Sequence, residues 1–173
     1  MGLMHITGEH NGPPVKPGVA FTDMSTGMFT HGAILAALLY RGRTGKGQWL
    51  DCCLSDSQLA TLSNVGSSEL ISNFTWNSTR WGTSHPSIVP YRAFETKDSF
   101  FLIGGGNDRL YKVVCERLGH PEWGVDKRFE SNALRVANRD VLEAEIEKLT
   151  KTRTTQEWED IFTGSGVPHA KIK

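Results

Sequence analysis

Neither sign of charge is in excess. Nineteen Lys and Arg stand against nineteen Asp and Glu, so no global field draws the chain toward nucleic acid or an anionic membrane. Long hydrophobic runs are also missing: the longest, Ala33 to Tyr40, is under half of the ~18 residues that a bilayer span requires, and a soluble chain with no membrane partner is expected. Cysteine is scarce. Cys52, Cys53 and Cys115 are odd in number, and adjacent cysteines rarely pair with each other, which excludes a disulfide framework and points to a reducing compartment. No His and carboxylate set stands at ligand spacing on one helix, so no metal site is expected. Nothing at the N-terminus resembles a signal or transit peptide, and the sequons at Asn73 and Asn77 read as chance. Neither end carries a capping signal, which reads as a chain cut at both ends.

What remains is globular: 38% of the 173 residues are hydrophobic, enough for one or two small domains with a core. Residues 7 to 18 are dense in Gly and Pro and read as an irregular connector. From Met24 to Arg41, Met28, Ile34, Leu35, Leu38 and Leu39 recur at helical spacing, predicting a buried amphipathic helix capped by Asp23 or Ser25. A strand is expected over Gln48 to Cys53, then a helix over Leu54 to Ser72. Residues 73 to 90, polar, aromatic and closed by Pro86 and Pro90, form a loop long enough to mark a site. Tyr91 to Thr96 and Phe100 to Ile103 flank Lys97-Asp98-Ser99 as a hairpin. Gly104-Gly105-Gly106-Asn107 then leads into a helix over Asp108 to Leu118, with Leu110, Val113, Val114 and Arg117 on one face and Gly119 ending it. One helix is expected over Asn132 to Thr150, and Thr154-Thr-Gln-Glu157 is a capping box opening the last.

Asp23 is the candidate for chemistry. An Asp at a junction into a helix is ordinarily an N-cap, but a carboxylate is ionised at neutral pH and can attack an activated acyl group without a base. The glycines at 104 to 106 allow backbone to approach a ligand, and a helix beginning at Asn107 or Asp108 would aim free N–H groups at an anion; a tight turn is the plain alternative. Arg80-Trp81-Gly82-Thr83-Ser84-His85 offers a cation, an aromatic face, a flexible glycine and an acid-base group within six residues. Gly164-Ser-Gly166 is not a nucleophile elbow, and the apolar setting of Cys52 and Cys53 would raise a thiol pKa.

Several stretches together resemble the class III CoA-transferase (CaiB/BaiF) family. They are Gly2-Leu-Met-His-Ile-Thr-Gly-Glu9 with Gly12-Pro-Pro14, Gly18-Val-Ala-Phe-Thr-Asp23, Thr44-Gly-Lys-Gly-Gln48 with Asp51, Ile88-Val-Pro-Tyr91, Leu118-Gly-His-Pro-Glu-Trp123 and Gly164-Ser-Gly-Val-Pro168. Arg80 to His85 and Gly164 to Pro168 are most similar to the branch that handles dicarboxylates. The resemblance implies an α/β fold of the class III CoA-transferase type, of which this chain holds a fragment: the linker, the region after the nucleophile and a smaller α+β domain. Residues 1–72 would be part of the large domain, 73–90 the active-site loop and 91–173 the smaller domain.

The resemblance further implies that Asp23 is the nucleophile, carrying CoA as an aspartyl-CoA thioester between an acyl-CoA donor and a carboxylic, preferentially dicarboxylic, acid. Coenzyme A thioester is then a substrate, with no permanently bound cofactor. Residues 82 to 84 correspond to the family's glycine loop, Gly104, Gly105, Gly106 and Asn107 are further substrate-binding candidates, and an interlocked homodimer in mitochondria or cytoplasm is implied. Members are longer than this chain and build most of the CoA pocket from an N-terminal Rossmann-like half absent here. Two alternatives stand beside this reading. One is an isomerase like α-methylacyl-CoA racemase, in whose branch a glutamate occupies the place of Asn107. The other is a catalytically silent truncated module.

Overall fold

A computed structural model of the chain describes residues 2–75 and 79–172. Residues 76–78, with the sequon at Asn77, lie outside the described residues. Two compact units are present, Met1–Gly82 and Thr83–Lys173, and the division falls inside the 73–90 segment.

The first unit is helical: α1 (Leu3–Ile6), α2 (Phe21–Thr44), α3 (Leu54–Thr61) and α4 (Ser63–Ile71). The periodic stretch forms α2, but it starts three residues earlier than its apolar pattern indicated. Ala20 is the N-cap and provides no side-chain cap, so Asp23 lies within the first turn and neither it nor Ser25 caps the helix. Gly45 closes α2 in the left-handed region (φ 71°), its N–H bonded to Arg41 O at 2.8 Å, a conformation a Cβ would oppose. The expected burial of α2 does not hold. Only Thr26 is buried on it, while Met28 is 75% and Leu39 66% exposed. The expected strand at Gln48 to Cys53 is not formed. Among the described residues no strand pairs with the segment, and Cys53 instead caps α3, its Sγ accepting from Asp56 N at 3.5 Å and its carbonyl from Ser57 Oγ at 3.1 Å. The single helix expected after it breaks at Leu62, whose N–H is shared between the carbonyls of Gln58 and Leu59.

The second unit has a core. Antiparallel β1 (Tyr91–Glu95), β2 (Phe100–Gly104) and β3 (His169–Lys171) form a sheet in that order, with Tyr91 opposite Gly104 and Ile103 opposite His169. Helices α5 (Asp108–Leu118), α6 (Asn132–Ala137), α7 (Arg139–Thr150) and α8 (Thr155–Phe162) accompany it, with a 3₁₀ turn at Pro121–Val125. Phe101 and Ile103, two residues apart and so on one face of β2, are fully buried with Phe94, Val114, Leu142, Ile146 and Phe162, and Trp158 packs with them. Full burial of each such side chain contributes about 1.5–3 kcal/mol relative to exposure. The buried face of α5 is Tyr111, Val114, Cys115 and Leu118; Arg117 is exposed rather than on it. The helix expected over Asn132 to Thr150 divides at Asn138 (φ −110°, ψ 24°), and Val141 is exposed. The capping box at Thr154 is formed in full: Thr154 N donates to Glu157 Oε2 at 2.7 Å and Glu157 N to Thr154 Oγ1 at 3.3 Å.

The centre of this unit is Arg135, with no exposure at all. Its Nε donates to Val89 O (2.7 Å), its Nη1 to Phe129 O (2.9 Å) and its Nη2 to Asp108 Oδ1 (2.7 Å), while the guanidinium lies 4.3 Å from the centre of the Tyr111 ring. A buried charge persists only when fully partnered in this way.

Candidate functional site

Asp23 is exposed in the first turn of α2, at the positive end of that helix. It lines a cavity of about 440 Å³ with Leu3, Lys16, Val19, Phe21 and Gln58, a volume within the range of small-molecule sites, ~300–1,000 Å³. One wall is a fixed polar chain. Thr22 Oγ1 donates to the side-chain oxygen of buried Gln58, whose Nε2 donates to Thr61 Oγ1 at 3.0 Å. Every one of these residues belongs to the first unit. Lys16 and Gln58 were not singled out from the sequence. The available signal for Lys16 was its place between Val15 and Pro17 in the irregular connector, seven residues before Asp23.

The loop candidates divide between the units. Arg80, in the first, is engaged with backbone: Nε donates to Gly12 O at 2.8 Å and Nη1 to His5 O at 2.9 Å. Trp81 lies against the His10 ring at 5.5 Å, and Gly82 N donates to Gly8 O at 2.9 Å. Gly82 has φ +57°, a left-handed conformation that favours glycine. These three residues clamp the connector that leads to Asp23.

Thr83, Ser84 and His85 belong to the second unit. Thr83 Oγ1 accepts from Ala93 N at 3.1 Å. His85 N donates to Tyr91 O at 2.8 Å, its ring stands edge-on to Tyr91, and its Nδ1 accepts from Ser87 N at 3.1 Å. Arg139 Nη2 donates to the carbonyls of His85 and Pro86, both at 2.9 Å. Partial burial, and secondarily the Arg139 charge, hold the His85 pKa below its ordinary value, so the neutral imidazole is favoured.

The glycine turn is used internally. Gly104 N donates to Pro168 O (2.8 Å), Gly105 N to Pro90 O (2.7 Å) and Gly106 N to Gly104 O (2.9 Å), so none of the three amides is presented to an anion. A Cβ on Gly104 would meet Tyr91 Cε2 at 3.1 Å, and one on Gly105 would meet Pro90 Cδ at 3.1 Å; their bareness serves close packing. Asn107 caps α5, its Oδ1 accepting from Leu110 N at 2.9 Å. A charged cavity of about 360 Å³ over β1 and α7 is likewise internally paired, Arg92 bridging Glu143 (3.3 Å) and Glu147 (3.4 Å). Among the described residues no group of three or more His, Cys, Asp or Glu could hold a metal ion, and no described helix is long and apolar enough to cross a membrane.

Succinyl-CoA:glutarate CoA-transferase of Mus musculus is 48% identical over 171 residues, 99% of this chain and 39% of that protein. Acetyl-CoA:oxalate CoA-transferase of Acetobacter aceti is 36% identical over 96% of this chain and 43% of its own length. The chain therefore spans about two fifths of these relatives. Among solved structures, a CAIB/BAIF family protein from Brucella suis matches 99% of this chain and 45% of its own, with a TM-score of 0.79 and 38% identity. The model of CoA-transferase family III matches residues 1–173, and the chain belongs to that family.

Proposed function

We propose that the protein of which this sequence is part moves CoA from an acyl-CoA to a carboxylic acid, with Asp23 as nucleophile. The observation that carries this reading is the exposed Asp23 carboxylate on the wall of a cavity suited to a small acid, in a chain 48% identical to a succinyl-CoA:glutarate CoA-transferase. The Asp23 carboxylate attacks the thioester carbonyl and expels CoA thiolate, giving a mixed anhydride. The thiolate then attacks the aspartyl carbonyl, releasing the donor acid and leaving aspartyl-CoA. The acceptor carboxylate attacks that thioester, CoA leaves again as thiolate, and its attack on the acceptor carbonyl releases the new acyl-CoA and regenerates Asp23. Two exchanges at activated carbonyls replace one between poorly matched partners.

Asp23 lies in the first turn of α2, at its positive end, and its placement against the thioester carbonyl must supply the rate. A racemase needs an acid-base group at 107, and Asn107 is an amide whose oxygen already caps α5, which favours transfer. An interlocked homodimer and a mitochondrial or cytoplasmic setting are proposed from the family resemblance alone. The test is exchange between succinyl-CoA and glutarate by the full-length protein. Wild type should exchange, and Asp23→Asn should lose roughly 10³-fold or more of the rate with its fold intact; an equally active variant contradicts the assignment.

A further inference from the structure

We propose that Lys16 reads the second carboxylate of a dicarboxylic substrate in the Asp23 cavity. This rests on the transferase reading of Asp23 and adds a residue and a substrate feature to it. Other cations are engaged elsewhere: Arg80 holds the carbonyls of Gly12 and His5, and Arg92 pairs with Glu143 and Glu147. Arg109 belongs to the second unit, whereas the cavity lies wholly in the first. Within that cavity Lys16 is the one cation among the described lining residues, and no ion pair joins it to Asp23 among the described residues.

The lining supplies the three kinds of group that a dicarboxylate requires. Asp23 meets the reacting carbonyl, Val19 and Phe21 are apolar surface for the methylenes, and Lys16 supplies a compact ammonium for the distal anion. Gln58 cannot take that place, because its amide is engaged at both ends by Thr22 and Thr61. Lys16 is exposed on an irregular connector, so replacing it leaves the packing of the unit alone.

The test uses the full-length protein as wild type, Lys16→Gln and Lys16→Arg, with glutarate and the monocarboxylate pentanoate as acceptors from succinyl-CoA. A charge-assisted hydrogen bond predicts that Lys16→Gln lowers kcat/KM for glutarate roughly 10- to 100-fold, mainly through KM, while pentanoate changes less than about twofold and Lys16→Arg recovers most of the loss. An equal fall for both acceptors, which would mean a role in holding CoA or the fold, overturns the proposal, as does no change for either. Binding of ¹³C-glutarate followed by NMR separates the two claims. If wild type exchanges nothing, the transferase reading fails, and glutarate binding that Lys16→Gln does not weaken overturns the role of Lys16 independently.

Discussion

Met1–Gly82 and Thr83–Lys173 are close in length and treat their apolar residues in opposite ways. The second unit buries Phe94, Phe101, Ile103, Leu142, Ile146 and Phe162 completely. The first buries no apolar side chain among the described residues; its buried groups are Thr26, Ser57 and Gln58. Helical periodicity is present in both, so pattern alone does not decide burial. What decides it is what lies opposite: α7 covers the sheet at β1, whereas α2, packed mainly on the short α3 among the described elements, still presents Met28 and Leu39 to solvent. The candidate nucleophile sits in the unit with little packing of its own, and the self-sufficient unit holds the polar staples of Arg135 and Arg139.

That contrast can be broken in order of effect. Arg135→Met should cost the second unit about 3–5 kcal/mol, because it leaves the carbonyls of Val89 and Phe129 without their buried donor; urea unfolding followed by Trp158 fluorescence reads it, and a loss below about 1 kcal/mol would mean that water replaces the guanidinium. Leu142→Ala should cost about 3 kcal/mol, against about 0.5 kcal/mol or less for Leu39→Ala in α2 of this chain. Equal losses for the two leucines would erase the distinction between the units.

The smallest effect is electrostatic. The His85 pKa lies below its ordinary value of 6.5 through burial first and Arg139 second. A depressed histidine pKa favours the fold above the unfolded value, and the contribution is lost as pH falls through the folded one. NMR titration should therefore place the His85 midpoint below 6.5, and Arg139→Gln should raise it without restoring the full value, since burial persists. A midpoint unmoved by Arg139→Gln would remove the arginine from the account.

Legibility followed the range of the interactions. The hairpin, the α5 helix with its Gly119 stop and the Thr154 capping box are written in residues within a few positions of each other, and the structure contains all three. The three-residue β3 carries too little alternation to be seen, and the alternation at Gln48 to Cys53 is real but finds no partner strand. Arg80 read as a cation for substrate because nothing local reveals the carbonyls of His5 and Gly12, some seventy positions away. The glycines at 104 to 106 left an anion site and a tight turn both open for the same reason: Pro90 and Pro168 take two of their amides from a distance. Asp23 was visible as an acidic residue at a helix start, while the cavity around it depends on α1, the connector and α3 meeting there.

The most direct test of the account is intact-mass spectrometry of the full-length protein after incubation with succinyl-CoA and a quench that preserves thioesters, beside Asp23→Asn. The account predicts a CoA-sized adduct on the peptide holding Asp23 and none on the variant. An adduct that persists in Asp23→Asn, or a wild-type enzyme that exchanges CoA without ever carrying one, would contradict it.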